Sequence, residues 1–131
     1  MKDSKRLGDA ELEIMLAIWD SKAPVTSSYV LAHLEGRRKW ALSTVMTSLT
    51  RLCDKGFLTC DRSTGSNLYS PLVTEAEYKA AESRSFIERL YGNSFQNLVT
   101  SLYSSKVIEH TDLDELRSFL DKLEKEGDSD A

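Results

Sequence analysis

The sequence predicts a mostly α-helical chain with one small β-hairpin. Its front part, residues 1–73, has the element order of a winged helix-turn-helix, and residues 74–131 form a C-terminal helical dimerisation arm. Three observations carry this. Apolar residues recur at helical spacing in six separate segments. Two short extended runs flank a turn-rich loop between the third and fourth of them. The 131 residues contain only 6 Gly and 2 Pro, so breakers are few.

Residues 1–8 are polar and are expected to be disordered. Asp9 is the predicted N-cap of helix one, about residues 10–20, with Glu11 and Glu13 in the first turn. Leu12, Met15, Leu16 and Trp19 form its core stripe. Pro24 then breaks the chain. Thr26 caps a short second helix that carries Val30, Leu31 and Leu34 and ends near Glu35 and Gly36. Arg37, Arg38 and Lys39 precede Trp40, placing three cations just before the third helix.

The third helix, residues 41–57, is the element the rest serves. Leu42, Val45, Leu49 and Leu52 are expected to seat it on the core. A second stripe, Thr44, Thr47, Ser48, Arg51 and Lys55, has hydroxyls and cations and no carboxylate. Hydroxyls and cations suit phosphates and base edges in a DNA major groove. Gly56 ends the helix.

Residues 57–62 and 68–73 then form the hairpin around residues 63–67, with Pro71 at an edge position. Arg62 and Asn67 are expected to reach a DNA backbone or minor groove from this wing. Thr74 caps a fourth helix, residues 75–91, which carries Tyr78, Phe86, Ile87 and Leu90. The segment Gly92-Asn93-Ser94 stops it. A fifth helix, residues 95–105, presents Phe95, Leu98, Val99, Leu102 and Tyr103. A sixth, residues 113–125, is capped by Thr111 or Asp112 and carries Leu113, Leu116, Phe119, Leu120 and Leu123. The acidic tail after it is expected to fray.

The three C-terminal helices are too few to enclose their own apolar faces. Burial against a second copy is the economical outcome, and a two-fold dimer suits an inverted repeat of DNA. Charge follows the same division. Residues 1–73 hold 10 Lys/Arg and 8 Asp/Glu, whereas residues 74–131 hold 7 and 13. The front is therefore net positive although the whole chain is at −4.

No apolar run approaches the ~20 residues of a membrane span. The N-terminal segment has charges without the apolar stretch of a signal peptide. Cys53 and Cys60 read as reduced thiols of a cytoplasmic protein. His33 and His110 are isolated, and no nucleophile motif, phosphate-binding glycine loop or metal-ligand cluster occurs. The chain is therefore read as no enzyme, with no catalytic residues, metal or cofactor. A winged-helix module for protein–protein contacts is the alternative to DNA binding, and the acidic total favours it.

Residues spread along the chain resemble the penicillinase repressor family, of the BlaI/MecI/CopY type. They include residues 10–15 with Ile18 and Trp19, then Trp40, Thr44, Val45, Thr47, Thr50, Arg51, Leu52 and residues 55–57. Tyr69, residues 70–73, Phe95, residues 97–99 and residues 114–116 continue the match. The resemblance covers about residues 7–125. It implies a homodimeric winged-helix transcriptional repressor on a palindromic operator, controlling resistance or stress genes. Together with the polar stripe, the cations before the third helix and the wing, it makes Arg38, Lys39, Ser43, Thr44, Met46, Thr47, Ser48, Arg51, Lys55 and Arg62 the expected DNA-facing set. The apolar faces of the three C-terminal helices make Phe86, Leu90, Phe95, Leu98, Val99, Leu102, Leu113, Leu116, Phe119, Leu120 and Leu123 the expected dimer contact.

A membrane sensor protease releases many members. The matching cleavage point here is Ser101-Leu102, where the best-known members have Asn-Phe. Members also often carry basic side chains where this chain has Ser43 and Met46. The copper-responsive branch uses paired cysteines near the C-terminus, and no cysteine follows Cys60.

Overall fold

The computed structural model describes residues 6–34 and 39–130. The described elements run α1 (Asp9–Trp19), α2 (Ser27–Leu34), α3 (Leu42–Asp54), β1 (Leu58–Asp61), β2 (Leu68–Pro71), α4 (Glu75–Tyr91), α5 (Phe95–Ser104) and α6 (His110–Asp130). The chain is thus mostly helical with one two-stranded hairpin, in the predicted order. It divides into two compact units, Met1–Ser83 and Arg84–Ala131, with the division inside α4.

In the first unit, α1, α2 and α3 enclose a core of Ile14, Met15, Ile18, Val30, Leu34, Val45, Leu49 and Leu52, closed by Phe57 and Leu58. The buried face of α1 is Ile14, Met15, Ala17 and Ile18, while Leu12, Leu16 and Trp19 are half-buried at its margins. Asp9 is the first helical residue and Gly8 is the N-cap, one residue earlier than the acidic pattern suggests. The Gly8 N–H donates to Glu11 Oε1 at 3.0 Å and satisfies an otherwise orphan amide. Thr26 caps α2 as expected, its Oγ1 accepting from the Tyr29 N–H at 3.1 Å. The predicted end of that helix at Glu35 and Gly36 lies outside the described residues.

Helix α3 closes on Gly56, whose φ of 86° is the left-handed conformation glycine adopts without strain. The Phe57 N–H reaches Leu52 O at 2.9 Å and the Gly56 N–H reaches Cys53 O at 3.1 Å. This paired closure turns Phe57 back into the core. The antiparallel hairpin then pairs Leu58 with Pro71 and Asp61 with Leu68. Val25 bonds Tyr69 in both directions, at 3.0 and 2.8 Å, and ties the hairpin to the α1–α2 connection.

The first turns of α4 belong to this core. Thr74 and Glu77 exchange hydrogen bonds with each other's backbone N–H at 3.1 and 3.0 Å, the reciprocal cap the sequence predicts. Tyr78 then packs edge-on to Phe57, accepts the Leu7 N–H at 3.1 Å and lies 5.9 Å from the Trp19 ring. Trp19 Nε1 donates to Val73 O at 2.8 Å, so both aromatic polar ends are satisfied.

The second unit holds the rest of α4 with α5 and α6. Gly92 and Asn93 both have positive φ and separate α4 from α5, and Ser94 caps α5 by accepting the Asn97 N–H at 3.1 Å. Helix α6 begins earlier than expected. Glu109 precedes it, and the Glu109 N–H donates to Asp112 Oδ2 at 2.7 Å, which places Asp112 inside the first turn and not at the cap. The helix also runs to Asp130, so the tail read as frayed is helical there. No side chain described between residues 84 and 127 is buried, although the unit carries Leu90, Phe95, Tyr103, Phe119, Leu120 and Leu123. No described helix is long and apolar enough to cross a membrane.

Candidate nucleic-acid interface

Helix α3 is held from beneath by Val45, Ser48, Leu49 and Leu52, all buried. These positions recur at i, i+3, i+4 and i+7, so the opposite face is fixed by geometry. It presents Ser43, Met46, Thr47, Thr50, Arg51 and Asp54, with Leu42 and Thr44 at its margins, all exposed. Ser43, Thr44, Met46, Thr47 and Arg51 therefore stand where a groove could meet them.

Four placements differ from the sequence reading. Ser48 is only 7% exposed, so it seats the helix and is not presented to a groove. Leu42, expected in the core, is 42% exposed, because the buried stripe runs through Ser48 and not through Leu42. Lys55 is not offered to phosphate: its Nζ is 2.7 Å from Glu11 Oε1, and both side chains are largely covered. Asp54 lies on the exposed face, so that face is not free of acid. Thr50 is a candidate the sequence reading left out, although it lies one turn beyond Thr47.

Two hydroxyls on this face are engaged locally. Thr47 Oγ1 donates to Ser43 O at 2.9 Å, and Thr50 Oγ1 donates to Met46 O at 3.1 Å. Each oxygen then keeps only its acceptor capacity for a ligand.

Of the cations before the helix, Lys39 is exposed, and Arg38 with Arg37 lies outside the described residues. Arg62 is exposed at the start of the hairpin loop. That loop is shaped by Asp61, whose Oδ1 accepts from the Ser63 N–H at 2.8 Å and from Ser63 Oγ at 2.6 Å. These bonds hold the Asp61 carboxyl below its usual pKa. Gly65, at φ 89°, turns the loop tip. Asn67 is drawn inward, with Nδ2 3.5 Å from Tyr69 Oη, so of the two wing residues Arg62 is the one left facing solvent.

Among the described residues no group of three or more His, Cys, Asp or Glu side chains is placed to hold a metal. His33 lies 3.6 Å from Asp20 and His110 3.6 Å from Asp114, both as surface pairs. What the site offers is an exposed helix face, one cation upon it and flanking cations from two loops. That is the chemistry of positioning on phosphate with a narrow set of base contacts.

Comparison with known proteins gives consistent relatives. The family model described as penicillinase repressor matches residues 7–122. The methicillin resistance regulatory protein MecI of Mammaliicoccus sciuri is 29% identical over 116 residues, 88% of this chain and 94% of that protein. The penicillinase repressor of Bacillus licheniformis is 28% identical over 122 residues, 93% of this chain and 94% of that protein. Among solved structures, the DNA binding domain of the repressor BlaI superposes with a TM-score of 0.50 at 32% identity, covering 60% of this chain and 94% of that domain.

Proposed function

The chain belongs to the penicillinase repressor family, and from that premise we propose that it is a DNA-binding transcriptional repressor that acts as a homodimer on a palindromic operator. The observation that carries this reading is the exposed face of α3, seated on the core by four buried residues and carrying hydroxyls along its length with Arg51 in its last turn. Such a face enters a major groove with its first turns against base edges. Lys39 before the helix and Arg62 on the wing supply flanking phosphate contacts. The family model and the Bacillus licheniformis relative are both described as penicillinase repressors, which supports a negative polarity of regulation. The reading needs no cofactor and places the protein in the cytoplasm.

Dimerisation is the companion proposal. The unit Arg84–Ala131 has apolar side chains on every helix and none buried among those described. Leu113, Leu116, Phe119, Leu120 and Leu123 form one stripe along α6, and Phe95, Leu98, Val99 and Leu102 form another on α5. Burying a Leu or Phe contributes roughly 1.5–3 kcal/mol, so a second copy is a sufficient cover. A sensor protease would act at Ser101-Leu102. Those residues lie within α5, so cleavage there requires that helix to unwind first.

The test is titration of the purified protein against labelled duplex from its own upstream region, with scrambled duplex as control. Preferential binding of two chains per duplex is the expected result. Absence of binding to either duplex at low salt would move the reading to a protein-interaction module.

A further inference from the structure

We propose that Leu42 and Met46 read thymine 5-methyl groups in the major groove, an inference that rests on α3 being the helix that enters DNA. Both side chains belong to the first two turns of α3, the part of a recognition helix that meets base edges. They stand one turn apart and are 42% and 44% exposed. Neither helps to seat the helix, because Val45, Ser48, Leu49 and Leu52 do that.

A second observation narrows the chemistry of the face. Helix α3 contains no Asn or Gln, the side chains that pair with adenine through two hydrogen bonds, and Arg51 is its one cation. Its Thr47 and Thr50 hydroxyls donate to Ser43 O and Met46 O. Few donors therefore remain for base edges. The methyl of thymine is the one apolar feature of the major-groove edge, and apolar side chains recognise it by contact. Exposed Leu42 and Met46, beside the threonine methyls, match that feature. Specificity would then come more from burial of methyl groups than from hydrogen bonds, with Arg51 supplying the polar fix.

Deoxyuridine tests this directly, because it lacks only the 5-methyl group and keeps every hydrogen-bonding atom of thymidine. Duplex selected by the purified full chain from a randomised pool is prepared with thymidine and again with deoxyuridine. Affinity for each is read by fluorescence anisotropy. The wild type should favour the thymidine duplex by about threefold to tenfold per contacted methyl. The Leu42→Ala, Met46→Ala double variant should bind the two duplexes alike. Equal binding by the wild type, or a full preference retained by the variant, would overturn the proposal. The wild-type comparison does not depend on how the variant folds. Failure of the wild type to select any duplex is a different outcome, and it removes the repressor reading along with this one.

Discussion

Lys55 Nζ lies 2.7 Å from Glu11 Oε1, joining the C-cap of α3 to the first turn of α1 across 44 positions of sequence. The same carboxylate oxygen accepts the Gly8 N–H, so one side chain caps α1 and anchors α3. This contact fixes the end of the candidate recognition helix and withdraws Lys55 from the DNA-facing set.

The pair has a pH signature. Burial acts to raise the Glu11 pKa, but the hydrogen bonds from Lys55 and Gly8, with the charges of Lys55 and Arg51, outweigh it and leave the group below its ordinary 4.5. The native state therefore holds the carboxylate more tightly in its charged form than the unfolded chain does. Its stabilisation is present above the unfolded pKa and is lost as pH falls through the folded value. Glu11→Gln should cost about 1 kcal/mol in urea titrations at neutral pH. The gap between wild type and variant should close below the folded pKa. A gap that persists undiminished in acid would contradict the ion-pair account.

The apolar stripe of α6 makes a separate prediction. Leu120→Glu together with Leu123→Glu should lower the sedimentation mass from dimer to monomer. Both positions are nearly half exposed in the single chain, so the winged-helix core should keep its melting transition. Affinity for a two-half-site duplex should fall at least tenfold while affinity for a single half-site stays level, at least about 1.4 kcal/mol lost only where both copies engage. An unchanged dimer mass would place the subunit contact elsewhere.

Cys53 should be a slow thiol. Burial raises its pKa first, the neighbouring Cys60 and Asp54 add to that, and Arg62 opposes them. At mildly alkaline pH it should react with iodoacetamide more slowly in the folded protein than in urea. Peptide mapping after timed quenching measures this at Cys53 itself. Equal rates in both states would show that the thiol is not shielded.

Most of the element order was legible because its signals are local. Gly56 after an amphipathic run, Thr74 three residues before Glu77, and a Gly-containing loop between two extended runs each specify their own structure. The misplacements arose where tertiary context decides. Leu42 and Ser48 both continue a helical stripe with Val45 and Leu49, and hydrophobicity alone favours Leu42. The core instead takes small Ser48 between Val45 and Leu52 and leaves Leu42 at the rim. Lys55 looked like a free cation because its partner is 44 positions away. The acidic tail reads as frayed from its composition alone, yet α6 continues to Asp130.

The central claim is that the exposed face of α3 binds operator DNA through Arg51. The most direct measurement is the salt dependence of affinity for the selected duplex, compared between wild type and Arg51→Ala. Affinity for the wild type should fall steeply as salt rises. The variant should bind more weakly, with a salt slope shallower by about 1, the signature of one lost phosphate contact or its equivalent. Its melting temperature should change little, since Arg51 is exposed and its charge is the smallest of the effects on Glu11. Equal affinity and equal slope for the two proteins would contradict the assignment of α3 as the DNA-reading element.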